Sequence, residues 1–579
     1  LLVARIGRNS AVHPAAIFKL MLRDGIEFNE EVAPVKVPRL ILALHVVAGF
    51  AFLSPAYIRP DSVAVYAYLR SLFLDRDLLF FNEWAGFGMI GNHFTWFKEV
   101  TPVGALANHW WIGTSLLSAP FYSVAAALSG ALSMKGDGFF GLYQWTLGWS
   151  SVLFACGSLL IAERILTAFA IPLRARLLAV FAAWIGTPLF WYEYRFSLGT
   201  HAAGALCVAA LVWLLWRATI GEPDMIDGAL IGLALGLAIA TRLQHFVLIV
   251  PLLYAIARGR LWRLFPAIAA GCTLPLAVQA AAWQIIYGNM FGPLLRGANL
   301  EGVTWMPFRT IAFVPVLFSS FHGLLPWSPV IALAIAGWMT ASREQKPLGK
   351  ILLLMFVAEL VANSTLDRYW WGGMSFGGRR FTDLAAPFAI GIGFLLARWR
   401  STFVYILTTL CLLWSTALMV PAIAGSLSLE HDVTPGSLLT AAASARQLLP
   451  PAALHSSLTQ LPSLGLATAG LLIVTAVTSF LLICGRRRKW IVTGAVTYLT
   501  AALLLTLSAS GRTRERAEAD RMRFHLAPAL ASVGPLLDQR KLISDEVVYL
   551  QRRGEKGIAA QRLREIAAID QRLGSTIHP

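Results

Sequence analysis

The chain has 579 residues, of which 57% are hydrophobic and only 14% charged, and its mean hydropathy is +0.64. A water-soluble protein of this length needs far more charge to cover its surface, so the composition excludes an ordinary soluble fold and predicts a polytopic, all-α membrane protein. The 48 Lys and Arg against 31 Asp and Glu leave a formal charge of +17. No basic domain of nucleic-acid-binding type accompanies that charge. We read it as cytoplasmic loops facing anionic headgroups, with membrane lipids and no nucleic acid as the partner.

In chain order, residues 1–39 form a basic tail with Arg5, Arg8, Lys19, Arg23, Lys36 and Arg39, expected to stay in the cytoplasm. The first apolar run starts near Leu40 and no small-residue cleavage site follows it, so no removable leader is expected. Apolar runs at 40–57, 140–162, 202–216, 384–397, 464–483 and 491–507 each approach the ~20 residues needed to cross ~30 Å of hydrocarbon. After the first of them, residues 59–139 make a large external loop. From Asp61 to about Trp111 it is polar, aromatic and punctuated by Pro and Gly, too irregular for bare lipid.

The segment 112–132 decides the topology. Taken as a span, it puts Arg164, Arg174 and Arg176 outside. Taken as a helix lying in the interface, it puts them inside, and the later basic groups then follow: Arg217, Arg258 to Arg263, Arg343 to Lys350, Arg398 with Arg400, and 486–489. We therefore expect an in-plane helix and about 13 spanning helices. Residues 401–510 hold the last spans with an external loop at 424–462, and 511–579 read as a soluble helical tail on the outer side. The five cysteines sit in apolar segments without CxxC spacing and read as core residues.

With this topology the polar residues converge on the outer face. They are the first-loop set with Asp61, Arg70, Asp75, Asp77, Glu83 and Lys98; Tyr192 to Arg195 with His201; a helix break at Arg242 to His245; Ser319 to Gly323 around His322; and the run from Asp367 to Arg380. Charge at the edge of hydrocarbon is expensive, which marks these positions as candidates for function.

The ordered set resembles bacterial GT-C glycosyltransferases, relatives of the protein mannosyltransferases and the lipid A aminoarabinose transferases. The likeness is carried by Asp61 with Tyr66 to Leu72, Asp75-Arg76-Asp77-Leu78 and Asn82-Glu83-Trp84. It continues in Gly186 to Leu189 with Ser197 and His201, Arg242-x-Gln244, Leu317 to Leu324 with Trp327-Ser328-Pro329, and Trp370 to Phe381. It covers roughly residues 40–400, the expected catalytic core. Ser62 follows Asp61 where many relatives carry a second acidic residue, which weakens a two-carboxylate metal site there; whether a divalent metal serves as cofactor stays open.

The resemblance implies a GT-C-like bundle and an inverting transferase in the bacterial cytoplasmic membrane, with its site facing the periplasm. The donor would be a polyprenyl-phosphate sugar and the acceptor an envelope glycan, lipid or protein. Asp61, at the exit of the first helix, is the expected base, although Pro60-Asp61-Ser62 also suits a helix start. Asp77 would orient the acceptor or support a metal, or simply close its helix. Arg379 and Arg380 follow a Gly-rich turn with Ser375 and suit a phosphate; the competing reading pairs them with Asp367 or Asp383. Arg242 and Gln244 have the same claim against helix-to-helix hydrogen bonding. His201 and His322 would touch sugar or phosphate, or serve as bonded core histidines, and Lys98 and Glu83 complete the binding candidates. The alternative class is a transporter or flippase for a lipid-linked or polar solute, which would ordinarily show internal repeats that are not visible here.

Overall fold

The computed structural model describes most of residues 36–423 and shorter stretches at 427–436, 494–509 and 539–577. Lys98, residues 367–369 and residues 441–493 lie outside the described set, and with them the expected span at 464–483 and most of the loop at 424–462. The described residues are overwhelmingly helical, with one isolated bridge between Val100 and Leu106 as the only strand-type pairing among them. Six helices are long and apolar enough to cross a membrane, and five shorter ones of 10–17 residues are also apolar.

The elements run α1 (Lys36–Phe52), α2 (Pro60–Arg70), α3 (Phe81–Gly86), α4 (Gly113–Ala131), α5 (Gly141–Ala168), α6 (Leu173–Ile185) and α7 (Leu189–Tyr194). Then come α8 (Thr200–Ile220), α9 (Met225–Thr241), α10 (Ile249–Gly259), α11 (Phe265–Tyr287), α12 (Phe313–Phe318) and α13 (Leu324–Trp327). The bundle continues with α14 (Val330–Met339), α15 (Lys346–Thr365), α16 (Ala385–Arg398) and α17 (Thr402–Ile423), followed by α18 (Val496–Ala509) and α19 (Lys556–Ile577).

Small residues let the helix backbones touch, as packing in lipid requires. A Cβ on Gly232 of α9 would lie 1.9 Å from the Ile268 carbonyl oxygen of α11, and one on Gly337 of α14 would lie 1.8 Å from that of Gly391 in α16. With α16 almost wholly enclosed, the centre of the bundle forms around it. The outer helix α17 instead presents Phe403, Ile406, Leu410, Leu413 and Trp414 outward, the apolar face that hydrocarbon covers.

Charge sorts along the bundle. Arg217 closes α8, Arg258 closes α10, Lys346 opens α15 and Arg398 closes α16. The opposite ends of these helices carry Thr200, the start of the turn before α10, Asn363 and the turn before α16, so the basic residues gather at one end and the mixed polar groups at the other. Helix α4 begins at that polar end. A Cβ on Gly113 would meet the Ala240 carbonyl at the close of α9, and one on Gly138, just beyond α4, would meet Leu74 and Arg70 of the first loop. The loop itself is packed, with Val63 to Tyr68 of α2 fully buried.

Candidate active site

Four chain segments meet at the polar end. Helix α8 starts at Thr200 and puts His201 in its first turn. Helix α9 stops at Thr241, Arg242 is fully extended (φ −154°, ψ 124°), and a 3-10 turn Leu243–Leu248 follows with Gln244 and His245. Helix α15 brings Glu359 and Asn363. A second 3-10 turn, Arg379–Leu384, supplies Arg379, Arg380 and Asp383.

Asp383 is the anion at the centre, fully buried. His201 Nδ1 lies 3.0 Å from its Oδ1, His245 Nε2 lies 2.7 Å from its Oδ2, and Arg242 Nε is 3.5 Å away. Gly204, one turn along α8, makes room: a Cβ there would sit 2.5 Å from Asp383 Oδ2. Arg242 Nη1 donates to Thr200 Oγ1 at 3.1 Å and lies 2.9 Å from His201 Nε2. The same nitrogen lies 3.1 Å from His201 Nδ1, so the guanidinium and Asp383 both face this ring.

Glu359 is the second buried anion. His245 Nδ1 lies 3.0 Å from its Oε1, while Gln244 Nε2 donates to its Oε2 at 3.2 Å and Asn363 Nδ2 to the same oxygen at 3.4 Å. Gln244 also accepts from Arg242 Nη2 at 2.8 Å and donates to the Arg380 carbonyl at 2.8 Å. His245 thus stands between two carboxylates. A neutral ring donates only once, so satisfying both contacts takes one further proton, on the ring or on Glu359. With a charged ring, Arg242 and His245 balance Asp383 and Glu359. A buried set of ions persists only when so matched.

In front of this cluster the site opens. Arg379 Nη1 donates to Asp61 Oδ2 at 3.4 Å, across 318 positions of sequence, and these side chains are 17% and 31% exposed. Asp61 stands in the first turn of α2, and the neighbouring Ser62 Oγ donates to the Ser197 carbonyl at 2.9 Å. The Gly-rich turn shapes the approach. Gly372 has φ +79°, and a Cβ there would come within 2.9 Å of Arg379 Nε. Ser375 is buried and donates to the Trp371 carbonyl at 3.2 Å. Trp370 and Trp371 stand edge to face at the rim, both half-buried.

His322 takes a left-handed backbone conformation (φ +64°) and packs against Phe321 and Trp327. Burial, reinforced by the nearby Arg379 cation, lowers its ring from the ordinary 6.5 to about 4, so it is neutral at physiological pH.

The first-loop candidates form a separate group. Asp77 is buried and accepts from Ser71 Oγ at 2.8 Å and from the Leu79 N–H at 3.2 Å, closing the turn in which Arg76 is left-handed. Glu83 is fully buried with Arg70 Nη1 at 2.7 Å, and the same nitrogen lies 2.6 Å from Asp75. Burial pushes the Glu83 carboxyl above the usual range, against the pull of Arg70. Arg70 also donates through Nε to the Asp137 carbonyl and covers the Phe139 ring. These contacts fasten the loop to itself.

Asp61 and Arg379 are therefore brought together, as are Arg242, Gln244, His201 and the Arg380 backbone, whereas Asp77 and Glu83 make their described contacts within the first loop. Lys98 lies outside the described residues. Of the two readings of Arg242, its donors already serve Thr200, His201 and Gln244. Glu359 was not singled out from sequence. Its signal was there: one carboxylate in the apolar run from Ile351 to Val361. Among the described residues, no group of three or more His, Cys, Asp and Glu is disposed to hold a metal ion.

No family model matches the chain, and no curated protein does. Two solved structures are similar to it. The crystal structure of ArnT from Cupriavidus metallidurans bound to undecaprenyl phosphate overlaps 86% of this chain and 81% of its own, with 13% identity and a TM-score of 0.43. ArnT from the same organism in the apo state overlaps 82% and 76%, with 14% identity and a TM-score of 0.40.

Proposed function

We propose that the chain is an inverting glycosyltransferase that moves a sugar from a polyprenyl-phosphate donor to an acceptor at the outer face of the cytoplasmic membrane. The observation that carries this reading is the Asp61–Arg379 pair, a partly accessible carboxylate and guanidinium at the polar end of the bundle. The segregation of Arg217, Arg258, Lys346 and Arg398 to the opposite helix ends supports an outward site, because cations favour the cytoplasmic side. On this topology α4 lies in the membrane plane.

The chemistry follows from the pair. A donor phosphate entering beside Arg379 offers the guanidinium a better partner than one carboxylate oxygen at 3.4 Å. Asp61 is then released to accept the proton of the acceptor hydroxyl as that oxygen attacks the anomeric carbon. The bond from the sugar to phosphate oxygen breaks with its electrons going to the phosphate, whose charge Arg379 stabilises. No general acid is needed, because polyprenyl phosphate leaves as an anion. Arg242, Gln244 and His201 stand behind Arg379, while Ser375 ties the Gly-rich turn before it to the Trp371 carbonyl.

The test is release of polyprenyl phosphate from purified protein supplied with polyprenyl-phosphate sugars. Asp61→Asn keeps the size and removes the base, so turnover should fall by about 10²–10⁴-fold. Equal release by both proteins removes Asp61 from this role. Donor-independent solute flux without any release supports the transporter instead.

A further inference from the structure

The turn that carries Arg379 is held from below by a single carboxylate that never approaches the opening. Glu359 Oε2 accepts from Gln244, whose amide also donates to the Arg380 carbonyl at 2.8 Å; Glu359 Oε1 meets His245 Nδ1 at 3.0 Å, and the other ring nitrogen grips Asp383 at 2.7 Å. Arg380 and Asp383 belong to the same six-residue turn as Arg379. Two routes therefore lead from one side chain on α15 to one turn, one ending on its backbone and one on its central carboxylate. Glu359 is fully buried. A buried anion in an apolar helix is costly unless its partners give something in return, and here two of its three partners, Gln244 and His245, continue to the Arg379 turn.

We infer that Glu359 is a positioning residue for the transfer reaction, setting the Arg379 guanidinium through Gln244 and His245; the inference rests on the transferase reading above. A group placed about 1 Å away from its working position forfeits around 100-fold in rate. Glu359→Gln keeps the volume and removes the charge: with its NH2 toward Gln244 that contact is lost, and with its NH2 toward His245 the ring must be neutral and accept at Nδ1, so Asp383 is left with an uncharged donor in place of a charged one.

The experiment is a double-mutant cycle on polyprenyl-phosphate release at saturating donor, with Glu359→Gln, Arg379→Gln and the double variant in the full chain. Acting through Arg379, Glu359→Gln lowers kcat about 10–100-fold alone and leaves the Arg379→Gln protein within about twofold. A purely structural loss reduces the active fraction equally in both backgrounds, and its effects multiply. Multiplication, or wild-type release by Glu359→Gln, overturns the inference while Arg379 keeps its role. Wild-type release by Arg379→Gln alone overturns the phosphate role and the inference together. Should Glu359→Gln not fold, Gln244→Leu cuts one route without touching a charge and decides by the same cycle.

Discussion

Two charged regions lie within one turn of each other and are built in opposite ways. Asp383 and Glu359 are fully enclosed, and each meets several donors at hydrogen-bonding distance. Asp61 and Arg379 share one long contact and remain partly open. The comparison separates the work of charge in such a bundle. A set of ions with all partners supplied by the chain is committed to geometry, since any exchange of partner leaves a buried charge bare. A longer, partly exposed contact is less tightly committed, and on the proposed function it is the one a substrate would meet.

The sharpest way to break that contrast is Asp383→Asn. It removes the anion shared by His201, His245 and Arg242 and should destabilise the protein by about 3–5 kcal/mol, read as a drop in melting temperature in detergent. Asp61→Asn, at a partly exposed pair, should cost no more than about 1 kcal/mol despite its effect on turnover. Equal melting of the two variants would erase the distinction. Gly204→Ala is milder. Its methyl meets Asp383 Oδ2 at 2.5 Å, and a cost of about 1–3 kcal/mol is expected for overpacking, with release activity falling alongside; an unaltered variant would mean that the carboxylate has slack.

The smallest effect is the pH response of His322. Its folded value is depressed to about 4 from 6.5, so the unfolded chain binds the extra proton first. Stability that is full above pH 6.5 is therefore lost as the pH falls toward 4. His322→Asn suits the left-handed backbone and removes the titration, so its melting temperature should decline less than the wild type's between those values. Matching declines would assign the response to other groups.

Arg242 and Arg379 were readable from sequence because charges in apolar surroundings stand out and the breaks interrupt helical runs, whereas Asp61 was pointed to by its place after the first helix and by the family resemblance, and the structure sets it beside Arg379. The partners were harder. Asp383 was visible only as one competing partner for the arginines, and it proved to be the centre to which His201, His245 and Arg242 turn. Glu359 meets groups 114 and 115 positions earlier, a proximity that no local pattern encodes. Asp77 and Glu83 looked like the Asp61 type of residue because a polar loop makes every carboxylate look exposed. Their burial against Ser71 and Arg70 comes from the fold of the loop.

The 318 positions between Asp61 and Arg379 also bear on biogenesis. A chain delivered to the bilayer helix by helix carries its carboxylate from the start, and installs His245 and Glu359 before the residue that neutralises their neighbourhood, Asp383, has been synthesised. The ion cluster is complete only when the turn before α16 docks.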